Sequence, residues 1–177
     1  LFVFTGRKPG WFLKGIAPVQ LLGFSTSSSA AALPVTIERA TKHLGVDNEV
    51  ASFVLPVGAT INMDGTSLYQ AVAAVFIAQA LHIPLDLSDQ LIIVLTALLA
   101  SIGSAAVPGA GMIMLVIVLE SIGIPADKMA IGLALIFAID RPLDMCRTVV
   151  NITGDSMVSV LIASSMNKMH DPDKEDK

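Results

Sequence analysis

The sequence predicts an all-α integral membrane fold in which two re-entrant helical hairpins and two partly broken transmembrane helices form an inverted repeat. Three observations predict it. Hydrophobic residues make up 54% of the 177 and charged ones only 15%, with a mean hydropathy of +0.73, a balance unlike that of an ordinary soluble domain. The long apolar stretches are interrupted midway by hydroxyl, amide, carboxylate, glycine or proline residues, and at membrane depth such breaks are tolerated only where they are buried in protein or line a cavity. The interruptions also recur in corresponding positions of two halves, the pattern that points to the binding site of a secondary transporter. A formal net charge of −4 without a basic run argues against nucleic acid as a partner, and the single cysteine, Cys146, leaves no intrachain disulfide.

Residues 1–14 read as the end of a preceding span followed by a basic interfacial turn, with Arg7, Lys8 and Lys14 around Trp11. The start at Leu1, without an initiator methionine or signal peptide, is expected of a piece of something longer. Residues 15–37 are split by F-S-T-S-S-S-A-A-A-L-P into halves too short to span a bilayer, which predicts re-entrant hairpin one. A charged cytoplasmic linker is expected at 38–49. Residues 50–81 are too long for one ordinary span and carry I-N-M-D-G-T from Ile61 to Thr66, so a broken transmembrane helix is expected there. A polar loop at 82–90 precedes hairpin two at 91–120, split by S-I-G-S-A-A-V-P-G-A-G from Ser101 to Gly111. A second loop at 121–128 leads into one transmembrane helix at 129–166, and the charged tail at 167–177 is expected to be disordered.

Loop charge supplies the orientation. Lys and Arg gather at Arg7, Lys8 and Lys14, at Arg39 and Lys42, and at Lys168, Lys174 and Lys177, whereas the loop at 82–90 has none and that at 121–128 only Lys128. The positive-inside rule makes the first three groups cytoplasmic and the two loops external, so the hairpins enter from opposite sides.

The stretch D-R-P-L-D-M-C-R-T-V-V-N-I-T-G-D, from Asp140 to Asp155, carries the chemistry. At 3.6 residues per turn Asp140, Asp144, Arg147, Thr148, Asn151 and Asp155 fall within an arc of about 100° along roughly 22 Å of helix. Four ionised groups facing lipid would cost about 10 kcal/mol even on the gentler insertion scales, so the stripe faces protein, water or ligand. Three readings follow from the residues alone: a transporter site, an intramembrane enzyme using paired aspartates as acid and base, or a non-transporting subunit with a buried polar seam. The mixture of Arg147 and Asn151 with the carboxylates favours recognition over catalysis, so an enzyme is not expected.

Taken together, T-S-S-S-A-A-A-L-P, N-M-D-G-T, S-I-G-S-A-A-V-P-G-A-G and D-M-C-R-T-V-V-N-I-T-G-D resemble the dicarboxylate/amino acid:cation symporter family, which includes excitatory amino acid transporters and prokaryotic glutamate transporter homologues. The resemblance runs from about Leu13 to about Ser165. It implies the C-terminal part of a transport domain in a multi-pass protein of the plasma or inner cell membrane. The preceding helices, with the scaffold that makes a homotrimer, would lie upstream. It implies a symporter of aspartate or glutamate driven by co-transported sodium, moving by an elevator-like mechanism. A proton-coupled symporter of glutamate or a C4-dicarboxylate is the alternative within the family.

The resemblance also assigns roles. Arg147 grips the distal carboxylate of the substrate and Asp144 takes its amino group, while Thr148 and Asn151 bind its backbone part and Thr66 lies close by. The α-carboxylate meets main-chain amides at the tips, Ser27, Ser28 and Ser29 in hairpin one and Val107 to Gly111 in hairpin two, where half-helix N-termini favour anions. One sodium falls to Gly58, Asn62, Asn151 and Asp155, and a second to Thr60, Ser101, Ile102 and Ser104. A third involves Asn62 and Asp64. Oxygen ligands of this kind suit hard cations. The chain departs from the family in lacking an arginine both near Ser27 and at Met145, with Arg141 a candidate substitute. Gln70 replaces a glutamate tied to proton and potassium coupling in the animal transporters, so neither coupling is expected. Asp155 favours sodium over protons. His43, His82 and His170 are expected to be solvated and Cys146 to be packing, and Asn151-Ile152-Thr153 lies too deep to be glycosylated.

Overall fold

The computed structural model describes residues 1–171; the charged tail expected to be disordered lies, from residue 172 on, outside them. The described chain is all helical apart from one isolated β-bridge. After a single turn, α1 (Phe2–Thr5), come α2 (Pro9–Thr26), α3 (Ser29–Lys42), α4 (Asn48–Ile61), α5 (Asp64–Ala80), α6 (Leu87–Ile102), α7 (Ala110–Ser121), α8 (Ala126–Phe137) and α9 (Asp140–Ser165). Among the described residues no helix is long and apolar enough by itself to cross a membrane.

Proline chemistry explains where several helices begin. Pro9 opens α2, where its missing N–H is no loss and its φ is already helical. Trp11 and Lys14 therefore lie on the helix rather than in a turn. The segment expected as one helix at 129–166 is two, interrupted at Ala138 and Ile139. Pro142 is the reason: it offers no N–H to the carbonyl of Ala138 and its ring would clash there, so the helix ends and restarts with Pro142 in its first turn. Pro34, by contrast, lies inside α3, which continues through Lys42 into the stretch expected as linker.

α2 and α3 pack against each other across a two-residue tip, Ser27–Ser28, with Ser27 in the left-handed conformation at φ 51°. Ser28 caps α3 by accepting a hydrogen bond from the Ala31 N–H at 3.1 Å. α6 and α7 form the second pair, joined by a longer tip, residues 103–109, that ends at Gly109 with φ 79°. The tips touch: the Ser28 hydroxyl donates to the Ala106 carbonyl at 2.8 Å, and the Ala30 N–H reaches the same oxygen at 3.4 Å.

Among the described residues two large apolar cores result, with a small third cluster of Val19, Ala32 and Ile152 where α2 and α3 meet α9. One gathers Ala74, Ile77, Ile93, Leu115, Leu119, Met129 and Ile136 from α5, α6, α7 and α8. The other gathers Phe12, Ile16, Leu44, Leu55 and Val160 from α2, the loop after α3, α4 and the far half of α9. α9 packs against α2, α3, α4 and α5, so its polar stripe runs between the two cores. At its far end a short strap returns over the loop between α3 and α4. Val46 pairs with Met169, the Asp47 N–H donates to the Lys168 carbonyl at 3.1 Å, and Lys168 pairs with Glu49. The Glu49 carboxylate raises the Lys168 pKa above its ordinary value.

Candidate functional site

The break between α4 and α5, Asn62–Met63, lies against the middle of α9 and opens backbone groups there. Asn151 occupies the opening: its Oδ1 accepts from the Gly65 N–H at 2.8 Å and its Nδ2 donates to Thr66 Oγ1 at 3.1 Å. The approach is close enough that a Cβ on Gly65 would overlap the Arg147 backbone. Asp144, Arg147, Thr148, Asn151 and Asp155 are all buried, and Asp140 is half-buried.

Ten of the expected site residues line one cavity of about 20 Å³: Ser27, Ser29, Thr66, Ser104, Val107, Gly111, Asp144, Arg147, Thr148 and Asn151. That is room for about one water molecule. Arg147 Nη2 pairs with Asp144 Oδ1 three residues back, while Asp144 Oδ2 accepts the Gly109 N–H at 2.9 Å and so ties the hairpin-two tip to α9. Arg147 Nη1 has no hydrogen-bond partner among the described residues, nor do the buried hydroxyls of Ser27 and Ser104. Exposed Arg141 reaches Asp144 Oδ2 only at 4.0 Å.

Other expected groups are differently engaged. Ser28 does not line the cavity; its hydroxyl serves the cap and the opposite tip. Thr148 donates to the Asp144 carbonyl at 2.9 Å. At the start of α3 the Ala30 and Ala31 amides are already bonded, which leaves fewer main-chain donors at this tip than half-helix geometry suggests.

The first cation set is brought together in part. Asn62 Nδ2 donates to Asp155 Oδ1 at 3.0 Å, and a Cβ on Gly58 would sit 2.7 Å from the same oxygen. Gly58, Asn62 and Asp155 line an apolar-walled groove of about 340 Å³ with Phe53 and Val158, whereas Asn151 belongs to the other cavity. Exposed Asp64 reaches over Gly154, where a Cβ would lie 2.6 Å from its Oδ2 and 3.3 Å from Asn62 Nδ2. Of the second set, Ser104 lines the 20 Å³ cavity, Ser101 donates to the Leu98 carbonyl at 2.7 Å, and Thr60 and Ile102 are exposed. The helices that carry them, α4 and α6, touch. Among the described residues no three His, Cys, Asp or Glu side chains cluster.

Tyr69 was not foreseen. Its ring lies 4.6 Å beneath the Arg147 guanidinium and its hydroxyl donates to Asp140 Oδ1 at 2.8 Å. The available signal was its place as the chain's one tyrosine, three residues after Thr66 on the same helical face. Gln70 is wholly buried, with Nε2 at 3.4 Å from the Gly111 carbonyl. His43 and His170 are more than solvated, the first against Arg39 and the second against the Thr41 carbonyl. Cys146 is exposed on the wall of an apolar groove beside Tyr69.

Comparison with known proteins gives one family match, to the sodium:dicarboxylate symporter family over residues 1–165. The chain is 45% identical to human excitatory amino acid transporter 5 over 167 residues, 94% of this chain and 29% of that protein. It is 46% identical to an excitatory amino acid transporter of Caenorhabditis elegans over 156 residues, 88% of this chain and 30% of that protein. It is also 46% identical to human excitatory amino acid transporter 1 over 156 residues, 88% and 28%. The chain thus spans less than a third of the length of these relatives.

Proposed function

Because the chain belongs to the sodium:dicarboxylate symporter family, we propose that it forms the substrate- and cation-binding part of a membrane symporter that takes up acidic amino acids, aspartate or glutamate, together with sodium. The observation that carries this reading is the convergence of three buried groups without hydrogen-bond partners among the described residues, Arg147 Nη1, Ser27 Oγ and Ser104 Oγ, on the cavity that also holds Asp144. Leaving a buried donor unpaired costs about 1 to 3 kcal/mol, more for a charged one. A carboxylate suits the flat fork of Arg147, and an ammonium suits Asp144. An acidic amino acid offers both and exchanges the intrahelical Arg147–Asp144 pair for two pairs of its own.

Its entry needs more than 20 Å³, so the Arg147 side chain or the hairpin-two tip moves to admit it. Sodium is the second substrate. Gly58, Asn62 and Asp155 supply oxygen donors and one negative charge, and the Nδ2 bond from Asn62 to Asp155 leaves the Asn62 oxygen for a cation. Thr60, Ser101, Ile102, Ser104 and Asp64 complete the cation ligands on the family likeness. The hairpins enter the membrane from opposite sides, their tips meet at the site, and the domain moves as an elevator within a homotrimer built by helices outside this chain.

Isothermal titration of the full-length protein with aspartate at several sodium concentrations tests the reading. Affinity is expected to rise steeply with sodium, because the two ligands share the elements they order. Aspartate binding that ignores sodium, or no aspartate binding at all, overturns it.

A further inference from the structure

The first 37 residues contain no carboxylate, and their three cations, Arg7, Lys8 and Lys14, form no ion pair among the described residues. Arg7 packs its guanidinium over the Trp11 ring at 4.6 Å, where the chain turns at Gly6 (φ 68°) into α2. Trp11 and Lys14, three residues apart, are neighbours on α2, and Lys8 stands at its N-cap just before them. The surface beyond them changes character. Pro18 and Leu21 continue the same side, with Leu21 72% exposed, and Leu13 and Phe24 are exposed beside them. Val3 and Phe4 on α1 are 87% and 80% exposed.

We propose that this surface is a docking site for one anionic phospholipid, its phosphate held by Arg7, Lys8 and Lys14 and its acyl chains lying along Leu13, Pro18 and Leu21. The inference rests on the membrane reading above but not on the identity of the transported substrate. Charge complementarity selects the headgroup: three cations with no carboxylate of their own favour an anionic lipid over a zwitterionic one. The length agrees, since Lys14 to Phe24 gives roughly 15 Å of apolar surface along the helix, the depth of one leaflet's hydrocarbon. Trp11 marks the level at which head and tail divide.

The full-length protein, delipidated and offered equal phosphatidylglycerol and phosphatidylcholine, tests this by native mass spectrometry of the retained lipid. Retention of phosphatidylglycerol is expected to exceed that of phosphatidylcholine, and the triple variant Arg7→Gln, Lys8→Gln, Lys14→Gln is expected to lose about fivefold in that preference per charge removed. Leu21→Asn is expected to weaken retention of both lipids without changing the preference. Thermal unfolding of each variant in detergent separates loss of the site from loss of the fold. Equal retention of the two lipids by the parent protein, an unchanged preference in a folded triple variant, or full competition by inorganic phosphate would each overturn the proposal. Sodium-dependent aspartate binding, measured on the same samples, reports separately on the transport reading.

Discussion

Replacing Gly111 by alanine tests whether Arg147 recognises the substrate. A Cβ at this position would lie 2.5 Å from the Arg147 Cζ and 3.0 Å from Nη2, whereas ordinary contact begins near 3.4 Å. Nη1 lies nearer still, so the guanidinium must retreat by roughly 1.5 Å. It can do so, because the obstructing atoms are the end of a long side chain. Its position is nevertheless constrained by Asp144 and by the Tyr69 ring. Displacing one partner of a buried charge pair in this way costs about 2 to 3 kcal/mol, roughly 30- to 150-fold in Kd. Titration calorimetry of the full-length variant with aspartate at saturating sodium reads the loss directly, and sodium binding in the absence of aspartate serves as the control for the fold. An affinity within twofold of the parent would refute the reasoning, because it would mean that the guanidinium beside Gly111 does not hold the substrate.

Three further outcomes follow from the same geometry. Arg147→Cys is expected to bind sodium, to lose at least roughly 2 to 5 kcal/mol of aspartate affinity, and to gain weak affinity for serine or alanine; a variant that is only unstable, with unchanged preference, would show that Arg147 serves Asp144 alone. Asp155→Asn keeps the side-chain shape opposite Asn62 but removes the charge, so sodium affinity should fall more than aspartate affinity at saturating sodium. Equal losses would give Asp155 another role. Ser28→Ala removes both the α3 cap and the bond to Ala106, and thermal unfolding of the full-length protein should register a loss of about 1 to 2 kcal/mol; an unchanged midpoint would mean that the tips do not brace each other.

The polar stripe was legible because 3.6-residue spacing alone collects Asp144, Arg147, Thr148, Asn151 and Asp155, and all five are buried. The break at Asn62–Met63 was legible for the same kind of reason, an amide and a carboxylate set into an apolar run. What spacing could not supply was competition between partners. Nothing local shows that Asn151 is taken up by Gly65 and Thr66 and so stands apart from Asp155, or that Asp144 already holds both Arg147 and the Gly109 N–H. Those pairings depend on how separate helices approach. The end of α8 is readable in principle, since Pro142 cannot continue a helix through Ala138, but the apolar run of residues 129–139 gives no sign of a stop. Pro34 points in the opposite direction: it lies inside α3, which packs against α2, α4 and α9, and proline is tolerated within a helix where neighbouring helices surround it.

The division of the apolar interior into two main cores gives the chain two packed sides that meet along α9. The hydrogen bonds that join them run through the tips and α9: Ser28 and Ala30 to Ala106, Gly65 and Thr66 to Asn151, Gly109 to Asp144, and Tyr69 to Asp140. A ligand seated there touches both sides and acts as a cross-brace. At a hundred times its Kd it adds about 2.7 kcal/mol of stability, a substantial fraction of a domain's usual margin of about 5 to 15 kcal/mol. Loading such a site would therefore stiffen the chain where its two sides meet.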